Sequence, residues 1–176
     1  LGAAIRIVHQ VWQRIDHLRG QVREIVAELP AEALNWLPLP PGGHEDRTNS
    51  LAVLAAHVAG SEHFWVAEIV GGRPRTRDRD GEFGTQAEHS RELLAILDGT
   101  AAETAEVLSS LRPAVLDEER DVPERGRVPV RWCLLHVATH AALHLGHMQI
   151  TYQLWMGGKS KPSPFWHEIL KEGESE

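Results

Sequence analysis

Cysteine is nearly missing from this chain: of 176 residues, Cys133 alone carries a thiol. A single thiol excludes an internal disulfide and any cysteine-rich metal cage. An excess of positive charge is missing too. Lys and Arg number 18 against 25 Asp and Glu, a formal charge of −7, whereas nucleic-acid phosphates call for a basic face. No apolar run reaches the roughly 18 residues of a membrane span, and no secretory signal pattern opens the sequence. The expectation is a soluble, cytoplasmic protein that engages neither nucleic acid nor membrane. Alternating strand patterns, internal repeats and low-complexity tracts are also lacking, and the length suits one well-filled core, a single domain over residues 1–176.

What is present is helical periodicity. Ile5, Val8, Trp12, Ile15, Leu18, Val22, Ile25 and Leu29 recur at three- and four-residue steps, which predicts a first helix over most of residues 3–29. Pro38, Pro40, Pro41, Gly42 and Gly43 make 30–47 a loop. Thr48, Asn49 or Ser50 caps a second helix that runs to Gly71-Gly72. Residues 73–81, with arginines and aspartates in near alternation, read as a solvated linker. Thr85-Gln86-Ala87-Glu88 resembles a capping box ahead of a third helix carrying Leu93, Leu97, Val107 and Leu111. Residues 112–128 read as another loop, a fourth helix runs from near Pro129 to Gly157-Gly158, and Ser163-Pro164 starts a short C-terminal helix over 164–171. The fold class is therefore all-α, a four-helix bundle. The 14-residue linker from Gly71 to Gly84, at about 3.3 Å per residue, is long enough to cross the bundle, so successive helices need not alternate in direction.

Histidine is abundant, with 11 in all, and four of them fall in the run His136-Val-Ala-Thr-His140-Ala-Ala-Leu-His144-Leu-Gly-His147. On a helix His140 and His144 are separated by roughly 6 Å along the axis and lie nearly in line. His136 and His144, about 12 Å apart, cannot share an ion. The workable pairs are His140 with His144, His136 with His140, and His144 with His147. The first is central, flanked by small residues that leave room inside a bundle. A stable site needs a further ligand, and His57, inside the apolar run Leu51-Ala-Val-Leu-Ala-Ala-His57-Val-Ala-Gly60, is the best candidate. His63, six positions on, faces the other way. His9, His17, His44, His89 and His167 read as surface, stripe-edge or loop residues, Cys133 as a small buried hydrophobe, and the tryptophans as core and pocket wall.

Three stretches resemble the DinB / YfiT-like superfamily of metal-binding four-helix bundles, which includes bacillithiol- and mycothiol-dependent transferases. Ser50 to Gly60 is similar to that family's second helix with its single histidine ligand. Trp132 to His147 is similar to its fourth helix with an H-x-x-x-H pair, and Arg79-Asp-Gly-Glu-Phe83 to the linker before its third. The ending His144-Leu145-Gly146-His147 is closest to the branch related to mycothiol transferases. The resemblance implies an up-down-down-up bundle and a metal triad of His57, His140 and His144. His136 and His147 would then line the pocket without binding the ion.

Three neutral nitrogens leave a divalent ion charged and open, which is the layout of a catalytic site. Zn²⁺ suits three imidazoles best, and Ni²⁺ fits the same set. The resemblance implies a metal-dependent thiol S-transferase, with a low-molecular-weight thiol and an electrophile as partners. Metal-assisted hydrolysis and a non-catalytic, stress-linked metal-binding bundle are the other two readings, and apolar helix faces suggest a homodimer.

Overall fold

A computed structural model describes residues 2–39 and 48–159, with the backbone alone for 2–5. The C-terminal helix expected over 164–171, together with His44 and His167, lies outside the described residues.

Helix α1, Gly2–Val26, buries Val8, Ile15, Leu18, Val22, Ile25 and Val26, the stripe that the periodicity marks. It stops short of residue 29, with Glu28 at φ 64°. Within the stretch expected to be loop, Pro30 starts a single helical turn, α2 (Ala31–Leu34). Helix α3, Leu51–Glu62, is capped by Ser50, whose Oγ accepts from the Val53 amide at 3.2 Å. Nearly all of α3 is buried, because a helix apolar on every side belongs at the centre of a fold. It runs on as a π-helical segment, His63–Val70, and ends at Gly71.

In the linker a short helix, α4 (Arg79–Phe83), is capped by the Asp78 carboxylate at the Gly81 amide, 2.9 Å. The capping box expected at 85–88 does not form. Thr85 instead donates to the Gly81 carbonyl, and α5 (Ser90–Ser110) starts after His89, with Glu92 reaching back to the Glu88 amide at 3.2 Å. The loop expected at 112–128 holds a 3-10 turn, Pro113–Asp117, and a hairpin of β1 (Glu119–Val122) and β2 (Gly126–Pro129), Glu119 opposite Pro129. Two four-residue strands, Glu-Arg-Asp-Val and Gly-Arg-Val-Pro, are too short and too poor in apolar residues to show an apolar alternation. Positive φ at Glu124 and Gly126 turns the chain between them. Helix α6, Val130–Trp155, closes the bundle and ends at Gly157 and Gly158, both at positive φ.

The core has two halves that reveal the direction of each helix. One joins the C-terminal part of α1 (Leu18, Val22) to the N-terminal parts of α3 (Leu51, Leu54) and α5 (Leu93, Leu97) and the C-terminal part of α6 (Leu145, Met148). The other joins the opposite ends, including Val8, Trp65, Val107 and Cys133. Helices α1 and α6 therefore run one way, α3 and α5 the other: up-down-down-up. Helix α3 packs on both α5 and α6, and α1 on the same two. Because α3 and α5 are parallel, the chain between them must travel back along the bundle, and that return brings α4 against the middle of α3.

Candidate metal centre

The buried His57 of α3 faces His140 and His144 of α6. The His57 and His140 Nε2 atoms are 3.2 Å apart. Ring centroids lie 4.9 Å apart from His57 to each of the other two, and 4.4 Å apart from His140 to His144. One ligand atom from each of the three falls within 4.8 Å of the other two, so a single ion can reach all three. His140 and His144 are only partly buried, which leaves one side of the cluster approachable.

The electrostatics favour neutral imidazoles. Burial, reinforced by His144, His57, His136 and Arg77, pushes His140 down to about 3, and burial with His57 and His147 pushes His144 down to about 4. A metal ligand must be deprotonated, and these two stay so well below neutral pH. Among the described residues His144 Nδ1 is the buried side-chain nitrogen or oxygen left with no hydrogen-bond partner, an orphan that an ion or its surroundings would satisfy. The residues present therefore fit a divalent metal.

Two further residues at this site escaped the sequence reading. His57 Nδ1 lies 2.8 Å from Glu82 Oε2 on α4, so the ring donates to the carboxylate and turns Nε2 toward His140. Glu82 in turn accepts from Arg77 Nε at 2.6 Å and from its terminal nitrogen at 2.8 Å, a two-pronged pair. Burial by itself would raise the Glu82 carboxyl. The hydrogen bonds from Arg77 and His57 and the Arg77 charge outweigh burial and hold it below the ordinary value. The linker thus corrects the expectation of a wholly solvated loop: most of it is exposed, but Glu82 is buried and Arg77 half-buried. No pattern within the charged run 73–82 distinguishes the inward pair, because the ring that Glu82 meets sits 25 positions away on α3.

The remaining histidines are held elsewhere. His136 stacks on Trp132, 4.8 Å between centroids at 7°, and meets Trp65 edge-on at 5.0 Å. His147 is exposed and touches the triad only through His144, at 5.3 Å. His63 is bound to Glu103 at 2.6 Å and Thr76 at 2.9 Å. Trp65 is core, as expected, whereas Trp132 stands 44% exposed. Cys133 is fully buried, and burial pushes its thiol up to about 11. The Phe83 ring tilts over His57 at 4.8 Å, with the Arg79 guanidinium 5.0 Å from its centre, so one side of the site has an aromatic and cationic rim.

No curated protein matches the chain in sequence. Among solved structures, a conserved protein from Enterococcus faecalis superposes with a TM-score of 0.67 over 86% of this chain and 98% of that one, at 16% identity. A likeness at that identity is one of fold. The model of the DinB superfamily matches residues 14–148, a span that takes in His57, Glu82, His140 and His144, and the chain belongs to that superfamily.

Proposed function

We propose that the protein is a metal-dependent thiol transferase in which His57, His140 and His144 hold a divalent ion, zinc by preference, that activates a low-molecular-weight thiol toward an electrophilic substrate. The convergence of three imidazoles within 4.8 Å carries this reading. All three donors are nitrogen, a set that suits Zn²⁺ and also accepts Ni²⁺. When bound, such an ion keeps its full charge and lowers the pKa of a thiol or water at its open position.

The chain's own groups favour an external thiol as nucleophile. Cys133 is buried in the core with its proton held, so it cannot attack. Glu82 is committed on both oxygens, to Arg77 and His57, so it orients a ligand and is not free to take a proton from water. Phe83 and Arg79 offer a face for an apolar substrate that bears negative charge. The test supplies zinc-loaded protein with mycothiol, bacillithiol or glutathione plus monochlorobimane. Conjugation that needs both metal and thiol is the expected result. Absence of conjugation with any of the thiols overturns the transferase reading, and ester or amide hydrolysis without thiol would assign the site to water activation.

A further inference from the structure

The charged linker is fastened to the bundle at two carboxylates, and one arginine belongs to both attachments. The first carboxylate is Glu68, in the π-helical segment, with its side chain 1% exposed. Its Oε1 accepts the backbone amides of Thr76 at 2.6 Å and Arg77 at 2.8 Å. His63 Nε2 lies 3.2 Å from the same oxygen, and the Arg75 guanidinium 3.7 Å from the other. The second carboxylate is Glu82, gripped by the Arg77 side chain and bound to His57 Nδ1. Glu68 therefore fixes where the Arg77 backbone sits, the Arg77 guanidinium fixes the Glu82 carboxylate, and Glu82 fixes the His57 ring.

A glycine supplies independent support. A Cβ at Gly60 would stand 2.1 Å from Glu82 Oε1, so α3 leaves open the space in which that carboxylate lies. Glycine inside a helix is unfavourable relative to alanine, a cost offset here by room for Glu82.

We infer that residues 68–82 form a clasp that sets the metal affinity of the centre, with Glu68, Arg77 and Gly60 as positioning residues that act through Glu82 on His57. This rests on the reading of His57, His140 and His144 as metal ligands. Carboxylates that orient a ligand histidine are typically worth about 10- to 100-fold in metal affinity. Positioning also works in reverse, since a metal that prefers the oriented His57 must stabilise the clasp by the same factor.

The test measures Zn²⁺ affinity of the full chain by competition with a chromophoric chelator, alongside thermal melts without metal. Glu68→Ala, Gly60→Ala and Arg77→Lys each weaken zinc binding by about tenfold or more. Arg77→Lys keeps the charge and the backbone contact to Glu68 but loses the two-pronged grip, and it should leave the melting temperature near wild type. The double variant Glu68→Ala/Glu82→Ala should bind zinc no more weakly than Glu82→Ala alone, because both changes act through one ring. Zinc should also slow hydrogen exchange at the Thr76 and Arg77 amides in the wild type and not in Glu82→Ala, a response that a purely structural role for the linker would not produce. Wild-type binding of one equivalent of zinc with unchanged affinity in Arg77→Lys and Gly60→Ala overturns the clasp. Absence of zinc binding by the wild type overturns the metal site, and the clasp with it.

Discussion

His140 is the residue on which the centre turns, because it contacts His57, His144 and His136 and carries the deepest depression among the histidines whose shift is resolved. His140→Ala should abolish stoichiometric binding of Zn²⁺ or Ni²⁺, whereas His63→Ala should leave it intact, since His63 belongs to the network of Glu103, Thr76 and Glu68. Isothermal titration of the two variants separates these outcomes, and metal retained by His140→Ala would rule out the triad. Spacing of four admits His136 with His140 as well as His140 with His144. The central place of the second pair, the one imidazole in an otherwise apolar helix and the family resemblance together point to the three residues that converge. Glu82 and Arg77 were not legible in the same way. Their roles come from a linker folding back over α3, and a charge in a run of charges gives no sign of which members turn inward.

At the scale of elements, the long helices follow from residue periodicity and their boundaries from caps. Ser50→Ala removes the acceptor for the Val53 amide and should destabilise the protein by about 1 kcal/mol in urea unfolding. Its zinc stoichiometry should not change, because the cap lies two turns from His57. What periodicity misses is where backbone geometry departs from the ideal helix. The π-helical His63–Val70 keeps an apolar pattern that reads as ordinary helix, yet it is the segment from which Glu68 reaches the linker. The hairpin at 119–129 rests on backbone pairing and a turn at Glu124 to Gly126, with Val122 as the residue it buries most deeply. Helix direction lay beyond local pattern altogether, and the two core halves resolve it.

Across the whole molecule, buried charge has a pH signature in the metal-free protein. His140 and His144, held near 3 and 4 against an ordinary 6.5, bind fewer protons folded than unfolded below pH 6.5, so their contribution is lost as pH falls. Glu62 behaves oppositely. Packed with Arg19 and Thr104 between α1, α3 and α5, it is pushed by burial from 4.5 up to about 7, so its contribution is present at low pH and lost as pH rises from 4.5 through 7. Two unfolded histidines, each still half-protonated at pH 6.5, outweigh the one carboxyl until the two effects balance near pH 7. Stability of the metal-free chain should therefore decline toward acid and level off near pH 7. Denaturant midpoints across this range check it, and Glu62→Gln should steepen the acid decline between pH 4.5 and 7, because the carboxyl that opposes the two histidines is gone.

The up-down-down-up bundle, the returning linker and the histidine spacing all lead to one point between α3 and α6. The most direct measurement is anomalous diffraction at the zinc edge from crystals grown with one equivalent of Zn²⁺. The expected result is a single peak at about 2.0–2.1 Å from one nitrogen each of His57, His140 and His144, with His57 Nδ1 still bound to Glu82. A peak held instead by His136 or His147, or none at the triad, would contradict the account.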